Sequence, residues 1–274
     1  MKKISIISVN YNSYDKLEIF LKSVHNSIEL LNKNLKCDVT IVDNSTVRKV
    51  FNTSSFNIEG KLCVSIIESE NFGYFGSALK VYNEHSKNNY YDYIFITNVD
   101  LQVDIDFFSI LDSLKLNEKV GWIVPSIFSK FENRDKNPQR INRCSKAKLK
   151  LLYFLYYFPM LERFYSKLIY PSRKNKKKNQ TQPESSKIYS GHGSFIILTK
   201  QFIKRNPILN YPCFLFCEEL FLGEMIKNEG LYVIYEPSLK IFDDEHVSTG
   251  KLPSKNYYKY NRTSLSWILR TFYK

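Results

Sequence analysis

The run Tyr93-Ile94-Phe95-Ile96-Thr97-Asn98-Val99-Asp100 is aromatic and β-branched, and it ends on an amide and a carboxylate two residues apart. A continuous apolar run of this kind reads as a strand buried on both faces, as in a parallel sheet. Open α/β sheets bind their ligands beyond the carboxyl ends of such strands. Asn98 and Asp100 are therefore placed where a metal and a phosphate would be held. Taken alone, the triplet Asn98-Val99-Asp100 reads more readily as a turn, because Asn and Asp are common turn residues. The rest of the chain changes that balance.

The same pattern recurs upstream. Ile4 to Val9 ends on Asn10-Tyr11-Asn12, Val39 to Val42 on Asp43-Asn44-Ser45, and Val64 to Ile67 on Glu68-Ser69-Glu70-Asn71. Between the first two runs, Leu17, Phe20, Leu21, Val24, Ile28 and Leu31 fall at helical spacing, with Ser13 placed to cap the first turn. Gly76 to Tyr82 predicts a further helix before the run at Tyr93. Strands alternating with helices define a mostly parallel sheet with right-handed crossovers. No G-x-G-x-x-G follows a strand, and Gly250-Lys251 lacks the glycine a P-loop needs, since position 245 is Glu. Dehydrogenase and P-loop NTPase readings lose their main support. Gly73 and Gly76 allow close backbone approach near the strand ends.

Four motifs taken in order, Val9-Asn10-Tyr11-Asn12, Val42-Asp43-Asn44-Ser45, Asn71-Phe72-Gly73-Tyr74-Phe75-Gly76 and Asn98-Val99-Asp100-Leu101, resemble the signature of glycosyltransferase family 2. Downstream, Gly191 to Ile197 resembles that family's acceptor-side strand, and Phe214 to Gly223 its catalytic acidic pair. Tyr232 to Pro237 with His246-Val247-Ser248-Thr249 resembles its late histidine loop, and Tyr260-Asn261-Arg262 the start of its C-terminal helix. The resemblance covers nearly the whole chain except about residues 126 to 187, and it is nearest to bacterial rhamnosyl-, capsule and O-antigen transferases. It implies an α/β GT-A fold: a Rossmann-like, mostly parallel sheet flanked by helices, with a basic aromatic insert and a C-terminal helix. The implied layout is one domain over 1–274. Residues 1–100 form a nucleotide-binding half, 101–252 an acceptor half with the insert at about 126–187, and 253–274 the C-terminal helix.

The implied activity is inverting transfer of a sugar from a UDP- or dTDP-sugar to a hydroxyl of a glycan acceptor, lipid-linked, in bacterial surface polysaccharide synthesis. Departure of a nucleoside diphosphate builds charge on phosphate oxygens, which a divalent cation stabilises. Magnesium or manganese takes hard oxygen ligands and keeps several waters, so one carboxylate with the diphosphate suffices. Asp100 is the expected ligand. Asn98 departs from the family's commoner acidic residue and, being neutral, is expected to hydrogen-bond ribose or phosphate. His246, carried over from the loop histidine, is expected on the ion or the diphosphate. Asp43 is expected to accept from the N3 donor that uracil and thymine share and cytosine lacks, although a helix cap is the commoner job of such a residue. Tyr11 is expected to stack on the base and Asn71 to reach the ribose or diphosphate. Glu218 and Glu219 precede a helix holding Leu222, Met225 and Ile226, where acids also serve as ordinary helix-start residues. Inversion needs one carboxylate to take the acceptor proton. Carried over from the family's acidic pair, Glu219 is that base and Glu218 its support.

Charge is concentrated in one interval. Asn133 to Gln182 holds fourteen Lys and Arg against two acids, a net of +12 out of the chain's +13. The same interval contains Leu151 to Leu161, aromatic and too short to span a bilayer. It reads either as an interfacial membrane element on an anionic leaflet or as a basic loop over a helical hairpin that completes the core. Arg173 to Ser186 reads as flexible. The chain's 274 residues, 43% of them hydrophobic, are enough to bury a sizeable core. Five cysteines, an odd count without paired metal spacing, predict reduced thiols and a cytosolic setting, peripheral to the inner membrane face if the insert binds lipid. Cys213 and Cys217 are expected in the core. The short apolar N-terminal run predicts no signal peptide. A basic nucleic-acid-binding protein would use the patch and its aromatics but leaves Asp43, Asp100 and Glu219 without a role. A nucleotidyltransferase would need a Gly-rich basic loop after its first strand, where Asn10-Tyr11-Asn12 stands.

Overall fold

The computed structural model describes residues 1–31, 35–87, 90–178, 184–243 and 254–274. Every apolar run anticipated above is a strand: β1 (Lys2–Asn10), β2 (Leu35–Asp43), β3 (Leu62–Glu68) and β4 (Tyr93–Asn98). The later strands are β5 (Leu101–Val103), β6 (Val120–Ser129), β7 (Arg134–Asp135), β8 (Ser186–Ile188), β9 (Phe195–Thr199) and β10 (Tyr232–Asp243). Their order across the sheet is β3-β2-β1-β4-β9-β6-β10-β5, with β7 on β6 and β8 on β10. Strands β3, β2, β1, β4, β6 and β10 share one direction, while β9 and β5 oppose it.

Helices cover both faces: α1 (Tyr14–Glu29), α2 (Tyr74–His85), α3 (Phe107–Ser113), α4 (Lys146–Leu155), α5 (Pro159–Lys178), α6 (Lys200–Arg205), α7 (Glu218–Asn228) and α8 (Ser254–Phe272). Period-two alternation sorts each strand between two cores. Ile4 and Ile6 of β1 and Tyr93 and Phe95 of β4 join Leu17, Phe20 and Phe108 on one face. Ile7, Val9, Ile94 and Ile96 join Tyr82, Phe202, Leu222 and Ile268 on the other. One sheet separates both cores, so its strand ends are held rigidly. Cys213 and Cys217 lie in the second core as expected, and all five cysteines are free thiols.

Parallel register lines the polar terminators up in a row. Asn10 pairs with Asp43, Asp43 with Glu68, and Val9 with Asn98. Three local expectations need correction. Ser13 makes no side-chain cap; its Oγ donates to the Tyr11 carbonyl (3.0 Å), and its own N–H is taken by Asn10 Oδ1 (3.2 Å). Helix α2 starts at Tyr74 rather than Gly76, because Gly73, with φ 79° and ψ 169°, makes the turn into it. Residues 173–178, flexible by composition, continue α5 to Lys178; lysine is a good helix former. Among the described residues no helix is long and apolar enough to cross a membrane.

Candidate active site

At the carboxyl end of the sheet lies a cleft of about 620 Å³, within the usual range for small-molecule sites. Asn98 and Asp100 enter it from the β4–β5 turn, and Glu218 and Glu219 from the first turn of α7. Four residues expected from sequence are thus brought to one cavity from positions more than a hundred residues apart. His192, Gly193 and Ser194, just before β9, form part of its wall, and the Asn98 backbone N–H donates to the Ser194 carbonyl (3.0 Å). Tyr11, Asp43 and Asn71 do not line it. They sit farther along the strand-end row, on the side of β1, β2 and the loop before α2.

The acidic pair is presented by an unusual backbone. Phe216 (φ 69°) and Cys217 (φ 66°) are consecutive left-handed residues directly before α7. Non-glycine residues held there store strain and persist only where the surroundings fix them. Here Tyr211 donates to the Phe216 carbonyl, Ser264 of α8 donates to the Leu215 carbonyl (2.6 Å), and Phe216 packs edge-on against Tyr257 of α8. Phe214 abuts the start of α2 so closely that a Cβ on Gly73 would lie 1.7 Å from the Phe214 carbonyl oxygen.

Glu218 sits against Gly193, where an added Cβ would come within 2.9 Å of its Oε1. Burial, with Glu219 beside it, pushes its carboxyl up to about 8. Glu219 faces the Arg140 guanidinium at 3.9 Å. Burial alone would lower the Arg140 pKa, but Glu219 and the sulfurs of Cys144 and Cys217 raise it on balance. Among the described residues, the buried cleft atoms Arg140 Nε, Gln139 Oε1 and Tyr74 Oη have no hydrogen-bond partner. Burial and the charges of Glu218 and Asp100 raise the Tyr74 phenol.

Sequence reasoning missed this basic and phenolic wall. Arg134, Lys136 and Arg140 come from the segment counted above only as a charge excess, yet all three line the cleft. Arg140 is fixed by paired backbone bonds with Ser190 (3.0 and 3.1 Å), and Lys136 pairs with Asp243 at the end of β10. Tyr74 could have been flagged from its place directly after Gly73 in the motif. Glu132, Gln139, Leu149, Leu152, Leu215 and Phe216 also line the cleft.

On the side of β1 and β2, Tyr11 is 49% exposed at the strand-end edge. Asp43 is 2% exposed, with Oδ1 accepting from Asn10 Nδ2 (3.0 Å) and the Ser45 hydroxyl (2.5 Å), and Oδ2 from Tyr14 (2.6 Å). Burial alone would raise its pKa, but these bonds outweigh it and hold the carboxyl below its usual value. Asn71 Oδ1 accepts from the Gly73 amide (2.9 Å), an Asx-type turn that starts α2.

Among the described residues no group of three or more His, Cys, Asp or Glu could hold a metal ion by itself. Asp100 nonetheless supplies hard oxygen donors within the cleft, which suits a cation sharing its shell with a diphosphate and water. His246 lies outside the described residues.

This arrangement, a mostly parallel sheet flanked by helices with a polar cleft at the strand ends, is the GT-A fold. No family model and no curated protein matches the chain. Among solved structures it is similar to S. aureus TarS, with a TM-score of 0.52 and 12% identity over 89% of this chain and 37% of TarS. It is also similar to TarS 1–349 in complex with UDP-GlcNAc, with a TM-score of 0.58 and 10% identity over 100% of this chain and 72% of that one. The complex of the same fragment with UDP gives a TM-score of 0.59 and 11% identity over 99% and 66%. The chain therefore spans little more than a third of full-length TarS.

Proposed function

We propose that the protein is a family 2, inverting glycosyltransferase that moves a sugar from a UDP- or dTDP-sugar to a hydroxyl of a lipid-linked glycan in bacterial surface polysaccharide synthesis. The observation that carries this reading is the convergence of Asn98-Val99-Asp100 and the Glu218–Glu219 pair on one cleft at the strand ends. A similar fold in complex with UDP-GlcNAc supports the donor class. The whole chain acts as one domain in this reading.

Asp100 would hold a magnesium or manganese ion, which when bound would neutralise charge developing on the leaving diphosphate. Asn98 hydrogen-bonds ribose or phosphate. Tyr11 supplies the stacking surface for the base, and Asn71 reaches ribose or diphosphate from the start of α2. Asp43 takes the N3–H of uracil or thymine through Oδ2, whose only hydrogen bond among the described residues comes from Tyr14. Glu219, the second residue of the acidic pair, takes the acceptor proton, as the resemblance to the family's acidic pair implies, and Glu218 supports it. Arg140 orients Glu219 from the opposite wall. The experiment is thermal stabilisation by UDP, dTDP or single-stranded DNA, each with and without manganese. Metal-enhanced stabilisation by a nucleoside diphosphate supports the reading; stabilisation by DNA alone overturns it in favour of nucleic-acid binding.

A further inference from the structure

Helix α4 has two different sides. Leu149 and Leu152 of α4, with Tyr156 just beyond its end, line the cleft, whereas Leu151 and Phe154 face solvent. The exposed side continues through Phe158 onto α5, where Met160 (85% exposed), Leu161, Phe164 (64%) and Leu168 (62%) are uncovered. Leu161, Phe164 and Leu168 follow the i, i+3, i+7 spacing of one helical stripe. Phe154 and Phe158 lean on each other with ring centroids 4.9 Å apart. Soluble surfaces carry scattered apolar side chains, but a contiguous set of large ones marks a contact surface.

The fringe of this patch is cationic. Lys146, Lys148, Lys150, Arg163 and Lys167 are all exposed. The one acid of the hairpin, Glu162, already accepts from Ser166 (2.5 Å) and Tyr258 (3.2 Å). A second copy docking on the same patch would oppose one basic fringe with another. A nucleic acid would satisfy the cations but leave Leu151, Met160, Leu161 and Leu168 in water. An anionic lipid leaflet satisfies both, because aliphatic and aromatic groups enter the headgroup boundary while lysines reach phosphate.

We propose that the α4–α5 hairpin is an interfacial docking surface for an anionic membrane, seating Leu151, Phe154, Phe158, Met160, Phe164 and Leu168 in the headgroup region. Because the other side of α4 lines the cleft, docking brings the cleft wall within one helix diameter, about 10 Å, of the leaflet. An acceptor carried on lipid would then meet the site without leaving the bilayer. The surface itself does not depend on the transferase reading.

The test is sedimentation with vesicles of phosphatidylcholine alone or with 30% phosphatidylglycerol added, run beside sedimentation velocity of the free protein. Wild type should pellet with the anionic vesicles only, and less as salt rises. Replacing Lys146, Lys148, Lys150, Arg163 and Lys167 by Gln should weaken binding about fivefold per residue. The triple change Phe154→Ser, Phe164→Ser, Leu168→Ser should weaken it about tenfold per side chain. Met160→Asp, at the most exposed position of the patch, repeats the apolar test should the triple variant fail to fold. Failure of wild type to bind anionic vesicles overturns the proposal. So does undiminished binding by the apolar variants, which would leave simple charge adsorption. A dimer that the apolar substitutions dissolve, in a protein that ignores vesicles, would assign the patch to a second copy.

Discussion

Gly73 is the tightest joint between the two halves of the site, and Gly73→Ala measures what that joint is worth. With φ 79° and ψ 169°, the residue occupies a region essentially reserved for glycine, where another residue costs about 1–3 kcal/mol. Its new Cβ would stand 1.7 Å from the Phe214 carbonyl oxygen, and real Cβ contacts essentially never fall below 3.0 Å. The Phe214 backbone, with no rotamer to yield, must retreat by about 1.3 Å, the difference between those two distances. Overpacking of this kind adds about 1–3 kcal/mol, for a total near 4 kcal/mol. At roughly 2–4 °C per kcal/mol for a chain of this size, the melting temperature should fall by about 10 °C. Movement of Phe214 also carries Phe216, Cys217 and the acidic pair, and a misplacement near 1 Å costs on the order of a hundredfold in turnover. Gly60 provides the control: it too has positive φ (71°), but an added Cβ meets nothing within 4 Å. Gly60→Ala should cost only about 1–2 kcal/mol and leave turnover intact. Calorimetry and donor-hydrolysis rates on both variants decide the matter. Equal, mild effects at the two glycines would refute the claim that the α2 start positions the glutamates.

Asp100→Asn should keep the melting temperature within about 2 °C, because the turn it occupies opens onto the cleft, yet abolish stimulation of donor hydrolysis by manganese or magnesium. Activity within a few-fold of wild type would remove Asp100 as the ligand. The Glu218 carboxyl, raised to about 8 by burial and Glu219, binds a proton that the unfolded chain has already released, so stability should fall as pH rises from about 4.5 to 8. Glu218→Gln should flatten that slope in urea titrations; an unchanged slope would show that the group is not buried as a neutral acid. Glu224, 1% exposed, accepts from Arg143 Nε (2.7 Å), Arg143 Nη2 (3.0 Å) and Tyr189 (2.7 Å). Burial alone would raise it, but those donors and Tyr273 hold it below its usual value, so their stabilisation is present above about pH 4.5 and lost as pH falls through the depressed value. Arg143→Met should cost about 2–3 kcal/mol at pH 7, discounted because the arginine is a third exposed, and narrow the difference below pH 4; an equal cost at pH 7 and pH 4 would contradict the linkage.

Parts of the fold were legible because burial leaves a mark on composition. Strands β1, β2 and β4 sit between two cores, so they read as apolar runs, while edge strand β3 has one face covered; parallel register aligned the terminators Asn10, Asp43, Glu68 and Asn98 into a row. The meeting of Asp100 with Glu218 and Glu219 followed from the order of the motifs rather than from any local signal. What stayed hidden depends on long-range closure. Arg140 reads as one more cation until the bridge to Ser190, fifty residues on, turns it into the cleft. The network that Asp43 makes with Asn10, Tyr14 and Ser45 joins three segments, and no one of them signals it. Ser13 does not cap α1 because its Oγ turns back to donate to the Tyr11 carbonyl. The aromatic run at 151–161 divides between core and solvent by helical phase, which composition alone does not reveal.

The central claim is that the cleft binds a nucleotide sugar and that Glu219 takes the acceptor proton. Its most direct test is release of nucleoside diphosphate from a panel of UDP- and dTDP-sugars, with calorimetric binding of the free diphosphate, on wild type, Glu219→Gln and Glu218→Gln. The account predicts turnover with at least one donor, and a loss of about 10²- to 10⁴-fold in Glu219→Gln with diphosphate binding preserved. A larger loss in Glu218→Gln than in Glu219→Gln, or a wild type that binds neither diphosphate, would contradict it.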